Sequence, residues 1–322
     1  MKRFFFIPLL LMLLAWSSPA AATTLVGDID GNGKVDITDV TMLIDYILSP
    51  DDTIDGAKCD VDGDGTVNIV DVTCIIDLLL TPATPQPVEK TITANGVQFI
   101  MVRVEGGTFM MGARADETAY AGRNEFPCHE VTLTNDYYIA QTEVTWELWL
   151  ALTGGNPAES DVDLTAPVTN VSLFDCAKFV DKLSELTGHT FRMPTEAEWE
   201  FAARGGNSSR GFLFAGSDAI DEVAWYAENA NGNVQPVATK APNELGLYDM
   251  SGNVAEWCQD WYTWYDYEPQ INPIGPESGQ TNVYRGGSAE SHAMGCRVTV
   301  RGSLDPHERY ETLGFRIVMN CE

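Results

Sequence analysis

Apolar and polar positions recur with a clear period in only a few short stretches of this chain, and those stretches fix its regular elements. Val40 to Leu48 and Val72 to Leu80 each read as a short amphipathic helix, and the two copies stand 32 residues apart. Ile100 to Val104 and Thr108 to Met111 read as strands around the turn at Gly106-Gly107. A longer helix starts at Ser172, carries Phe174, Phe179, Leu183 and Leu186 on its apolar face, and closes at Gly188. Thr195, with Glu198 three residues on, forms a capping box for a helix ending near Arg204-Gly205. Loops rich in Gly, Asn and Pro fill the intervals. One further apolar run, Phe4 to Trp16, follows the basic Met1-Lys2-Arg3 and precedes the small residues Ala20-Ala21-Ala22. It falls well short of the roughly 20 residues a spanning helix needs. It predicts a signal cleaved near Ala22, a secreted or periplasmic protein, and no membrane span.

Charge changes this picture by its location. The chain has 47 acidic against 19 basic residues, a net charge of -28, which argues against a nucleic-acid partner because phosphates are held by clustered Lys and Arg. Hydrophobic residues at 44%, with eight Trp, rule out disorder as the source of the acidity. Residues 23 to 84 alone hold thirteen Asp, no Glu and two Lys. Thr81 to Val88 carries three Pro, an extended spacer, and beyond it the composition turns aromatic-rich and Gly-rich. The expected organisation is a signal at 1–22, an acidic module at 23–81, a linker at 82–90 and one large domain at 91–322.

The Asp residues are ordered. Asp28, Asp30, Asn32, Asp36 and Asp39 recur in register as Asp60, Asp62, Asp64, Asn68 and Asp71, with Gly33 and Gly65 at the sixth loop position. Oxygen donors at positions 1, 3, 5, 9 and 12, and backbone carbonyls from Lys34 and Thr66 at position 7, fit calcium, a hard dication that takes six to eight oxygens. A loop followed by one helix, twice, with no entering helix, resembles a dockerin type I module over residues 25 to 81. The resemblance implies calcium and a cohesin-like protein partner; the positions that choose such a partner hold Ile37-Thr38 and Ile69-Val70.

In the large domain, Gly106 to Gly112, Glu143-Val-Thr-Trp146, Phe191 to Glu200, Gly246 to Val254, Tyr284 to Ser288 and Gly314-Phe-Arg316 stand in order. Together they resemble the formylglycine-generating enzyme, or sulfatase-modifying factor, family over residues 97 to 319. The resemblance implies an α+β, C-type-lectin-like domain with little regular secondary structure. It also implies an oxidase in which two Cys hold copper. Here Cys296 matches the second Cys, but Ser291 stands at the first, and a hard hydroxyl cannot replace a thiolate on Cu(I). Ser288 of the groove is kept, while Ala255 stands where the family has a groove Trp. Copper is therefore not expected. A second calcium site is implied at Asp249 and Glu256, with the carbonyls of Gly252 and Val254. The four His lack the spacing of the three-His iron site of a related branch, and His129 reads as a core residue.

Seven Cys in an exported chain leave at least one unpaired within the chain; Cys59 and Cys74 are candidates for a staple and Cys296 for a half-cystine. In the aromatic run Trp257 to Tyr267, Tyr265 and Tyr267 are expected at the surface. Two functions remain open. One is a calcium-binding modular protein that presents a protein or glycan ligand face at residues 289–313. The other is an oxidoreductase-like enzyme of altered chemistry with Cys296 and Ser288 as catalytic residues.

Overall fold

The computed structural model describes residues 26–32, 34–49, 54–80, 88–154 and 162–321. The segment expected to be an export signal, Gly33 and most of the Pro-rich linker lie outside them. The chain divides into two compact units, residues 1–84 and 85–322.

The first unit is built from α1 (Ile37–Leu48), a single turn α2 (Gly56–Cys59) and α3 (Ile69–Leu80). The two long helices begin three residues before their apolar pattern because each calcium-type loop supplies its own cap. Asp36 accepts from the Thr38 amide at 2.7 Å while Asp39 accepts from the Asp36 amide at 2.8 Å, a reciprocal box. Asn68 and Asp71 repeat it, accepting from Val70 and Asn68, both at 2.8 Å. The last acidic residue of each loop is thus the third residue of its helix. Val40, Leu43, Val72 and Ile75 form the small core with Ile29 and Cys59.

The second unit contains β1 (Glu89–Ala94), β2 (Val97–Val104), β3 (Gly107–Met111), β4 (His129–Leu133), β5 (Tyr137–Ala140), α4 (Trp146–Thr153), α5 (Leu173–Thr187), β6 (Phe191–Arg192), α6 (Glu196–Ala203), short helices at Ile220–Val223 and Ala227–Ala230, β7 (Ala255–Trp261), β8 (Gln270–Ile271), β9 (Asn282–Arg285), β10 (Arg301–Leu304), β11 (Leu313–Phe315) and β12 (Val318–Asn320). They form sheets of order β1-β2-β5-β12-β6, β10-β9-β7-β11 and β3-β4-β8. The strands predicted around Gly106-Gly107 do not pair with each other. β2 runs between β1 and β5, whereas β3 pairs with β4, so the turn passes the chain from one sheet to another.

The predicted caps are present. Ser172 accepts from the Asp175 amide, Gly188 ends α5 at φ +75, and Thr195 with Glu198 boxes α6. The buried face of α5, however, is Cys176, Phe179, Val180 and Leu183, the i, i+3, i+4, i+7 set. Phe174 and Leu186 lie off that stripe and are exposed, Phe174 against the His307 ring.

Between the sheets, four arginines of the last third are buried and each meets a glutamate from elsewhere: Arg285 with Glu200, Arg297 with Glu125, Arg301 with Glu196 and Arg316 with Glu256. Arg297 holds Glu125 through two bonds of 2.8 Å, and Thr299 adds one of 2.6 Å. Burial pushes the Glu125 carboxyl up, but these bonds prevail and hold it below the ordinary 4.5. Removing one partner of such a pair strands a buried charge. Arg297→Met should cost about 3–5 kcal/mol in denaturant unfolding. Because the folded carboxyl titrates low, that contribution is present above the unfolded pKa and is lost as pH falls through the folded one. The wild-type–mutant difference should therefore shrink in acid below pH 4.5.

Candidate functional site

Three places bring the sequence-predicted residues together. In the first unit, carboxylate oxygens of Asp28, Asp30 and Asp39, and of Asp60, Asp62 and Asp71, lie within 4.8 Å of one another in each loop. Among the described residues these are the two acidic triplets close enough to share one ion. Asp39 also ties the loop's ends, accepting from Ile29 and Asp30 at 2.8 and 3.2 Å, and Asp71 does the same with Val61 and Asp62 at 2.7 and 3.2 Å. Asn32 accepts from the Lys34 amide and Asp64 from the Thr66 amide, the same local turn at position 5 in both copies. Asp60 Oδ1 is buried without a donor, which suits a cation.

The second place follows β9. After Arg285 the chain reverses at Gly286-Gly287; a Cβ at Gly287, φ +71, would lie 2.5 Å from the Gly295 carbonyl and 2.9 Å from Cys296 Sγ. The loop so folded puts Ser288 and Ser291 side by side. The Ser288 amide donates to Ser291 Oγ at 3.0 Å, and the two hydroxyls are 3.3 Å apart. They open onto a cavity of about 240 Å³ lined also by Ala255, Tyr284, Leu304 and Tyr310. No charged side chain lines it. Ala255 leaves room there that a larger residue would fill. Cys296 does not line this cavity. It packs with Phe214, Val223, Ala224 and Tyr226, and burial pushes its thiol up to about 12. A thiol held so far from its thiolate is a poor nucleophile. His292 and Met294 face outward.

The third place is the turn before β7. Asp249 is in the left-handed region at φ +58, and a Cβ at Gly252 would stand 2.2 Å from the Trp225 carbonyl, so only glycine fits. Asp249 Oδ2 accepts from the Ala238 amide at 2.7 Å, while Oδ1 is buried with no donor. Glu256 is engaged by Arg316 at 2.8 Å and by the Trp199 indole at 2.7 Å. Facing Asp249 is a residue that the ligand pattern did not include: Glu143, whose Oε2 is likewise buried without a donor. Burial, then the Asp249 charge, raises the Glu143 carboxyl, and burial raises Asp249 to about 6. Two buried carboxyl groups in contact require a shared proton or a bound cation. The implied calcium thus has fitting donors in these two orphaned carboxyl oxygens.

Other expectations are corrected. Cys59 and Cys296 both stand as free thiols, so Cys59 forms no staple and Cys296 is not a half-cystine. Tyr265 is half-buried, its ring 3.9 Å from the Arg301 guanidinium and against His129, with its hydroxyl donating to Glu196; Trp264 and Tyr267 are the exposed ones. His129 is buried with Nδ1 at 3.1 Å from the Pro127 carbonyl, as a core histidine should be.

Residues 88–321 match the sulfatase-modifying factor enzyme 1-like domain, and residues 26–80 match the dockerin type I domain. The chain belongs to the sulfatase-modifying factor family. Within that family it is 30% identical to the chaperone protein LppX of Paenibacillus barcinonensis, over 68% of this chain and 88% of that one. It is 29% identical to the formylglycine-generating enzyme of Streptomyces coelicolor, over 74% and 94%. Among solved structures, Treponema denticola variable protein 1 shares the fold at a TM-score of 0.64 and 31% identity, covering 73% of this chain and all of that one. The protein is thus a modular one, a sulfatase-modifying-factor domain of mixed α and β structure behind a dockerin module. No helix among the described residues is long and apolar enough to cross a membrane.

If Cys296 is as withdrawn as its packing indicates, a thiol reagent added to the native chain should modify exposed Cys321 and leave Cys296 untouched until denaturant is added. Mass mapping of the labelled peptides reads this directly; rapid native labelling of Cys296 would contradict it.

Proposed function

We propose that this is an exported, calcium-organised binding protein whose sulfatase-modifying-factor domain presents the Ser288–Ser291 cavity to a protein or glycan ligand and does not oxidise cysteine through copper. The observation that carries the reading is the hydroxyl of Ser291, bonded to the Ser288 amide where a copper thiolate would stand, with the remaining thiol of Cys296 turned into an apolar cluster. Soft Cu(I) finds no thiolate pair in this arrangement. The cavity draws on Ser291, Leu304, Tyr310, Thr312 and Leu313 of the 289–313 segment, and Met294 and Tyr310 stand exposed on that segment. A neutral wall of tyrosines and hydroxyls suits an uncharged group, ring-shaped or apolar, with hydrogen-bonding edges.

In this reading the mature chain begins near Ala22 and residues 82–90 act as a spacer. Calcium occupies both loops of the dockerin module, through Asp28 to Asp39 and Asp60 to Asp71, and a third calcium sits at Asp249, with Gly252, Val254 and Glu256, as a structural ion. The module's partner is cohesin-like, met through exposed Ile37, Ile69 and Val70. The competing reading, altered catalysis at Cys296 with Ser288, has a thiol of high pKa against it.

Titration with Cu(I) against a competing chelator separates the two. The wild-type chain should take up no copper at the competitor's strength, and Ser291→Cys, which restores the soft pair, should gain copper. A tight wild-type copper site, or oxygen-dependent conversion of a cysteine peptide by the wild-type chain, overturns the reading.

A further inference from the structure

We propose that Glu143 is a direct ligand of the cation at Asp249, so that the ion ties the corner between β5 and α4 to the loop that supports the Ser288 cavity. The inference rests on the calcium reading of the Asp249 turn and adds a ligand from a distant segment. Glu143 is 1% exposed and Asp249 2%. The backbone next to Glu143 is fixed at Val144, whose amide donates to Phe315 O at 3.0 Å and whose carbonyl accepts from Val168 N at 2.8 Å. Asn253 Nδ2 donates to Glu143 Oε1 at 3.2 Å, which leaves Oε2 for another partner.

The charges decide which partner. Arg316, whose charge reaches both carboxyls, is committed to Glu256 at 2.8 Å and also donates to the carbonyls of Ala140 and Tyr248, both at 2.8 Å. Glu143 and Asp249 therefore bring two negative charges with no guanidinium of their own. One shared proton would bridge the two oxygens but leave one buried charge unmatched; a divalent ion matches both and supplies the missing partner to each orphaned oxygen. The ion's position has a structural consequence. Asn253, which donates to Glu143, accepts the Ala289 amide on its carbonyl at 2.8 Å, so the Glu143 corner is joined through one residue to the loop carrying Ser288 and Ser291.

The dockerin module contains no Trp, whereas the Trp199 indole lies 2.7 Å from Glu256. Terbium in place of calcium, excited at the red edge of the tryptophan band, therefore reports the domain site in the full chain without the loops. Wild type should show sensitised emission that calcium displaces, and Asp30→Ala with Asp62→Ala should leave it intact. Glu143→Gln should require at least about tenfold more ion, as expected when one charge leaves a calcium shell, with far-UV circular dichroism in saturating calcium as the check on folding. Should that variant not fold, Glu143→Asp, which keeps the charge but draws the oxygen back, is read by the same criterion. If Glu143→Gln binds as wild type while Asp249→Ala loses the signal, Glu143 is not a ligand and the calcium reading stands. If wild type gives no sensitised emission, the pair is held by a proton and both statements fall.

Discussion

The large domain depends on placing charge where water cannot reach. Arg285, Arg297, Arg301 and Arg316 are all at or below 5% exposure, and they meet glutamates spread from position 125 to position 256. A buried ion pair gains little over an apolar pair of the same volume, yet losing either partner is costly. Such pairs therefore specify an arrangement more than they strengthen it. In a chain whose strands are as short as two to eight residues, they fix long loops that sheet hydrogen bonds do not reach.

The candidate sites inherit this constraint. Arg285 anchors the end of β9, from which the Gly286-Gly287 reversal launches Ser288. Arg297 anchors the other end of the same loop against Glu125, and Arg301 and Arg316 hold the strands behind it. The loop is thereby rigid at both ends while its inner wall, Ser288 and Ser291, faces a neutral cavity. At Glu143 and Asp249 the same rule lacks its arginine, and the absence of a matching side chain is what singles out that pair. The acidic triplets of the two loops and the orphaned carboxyls at Asp249 and Glu143 offer hard oxygens only, while the Cys296 thiol is buried in an apolar cluster.

Much of this was legible in the residues themselves because the signals are local. The helix start at Ser172 and the capping box of Thr195 with Glu198 are read within a single turn each, and the calcium loops from twelve positions in register. What escaped depends on distant partners. Leu186 sits at helical spacing from Phe179 while Phe174, five residues before it, does not, and the packing of α5 decides that Cys176 and Val180 take the buried stripe. The strands flanking Gly106-Gly107 enter different sheets because β5 and β4, not their neighbour in sequence, offer the pairing edge. Tyr265 is half-covered because Arg301, 36 residues later, lies over its ring. Glu143 was visible as part of Glu143-Val-Thr-Trp146, yet its role depends on Asp249, more than a hundred residues away, and no spacing in the chain carries that signal.

The central claim is that this domain uses metal for architecture and has given up copper chemistry. A crystal structure of the mature protein grown with both calcium and Cu(I), phased to separate the two ions by their anomalous scattering, tests it most directly. Calcium should appear in both dockerin loops and at Asp249, with no copper near Ser291 and Cys296. A copper ion bound to Cys296, with its side chain swung into the cavity, would contradict the account.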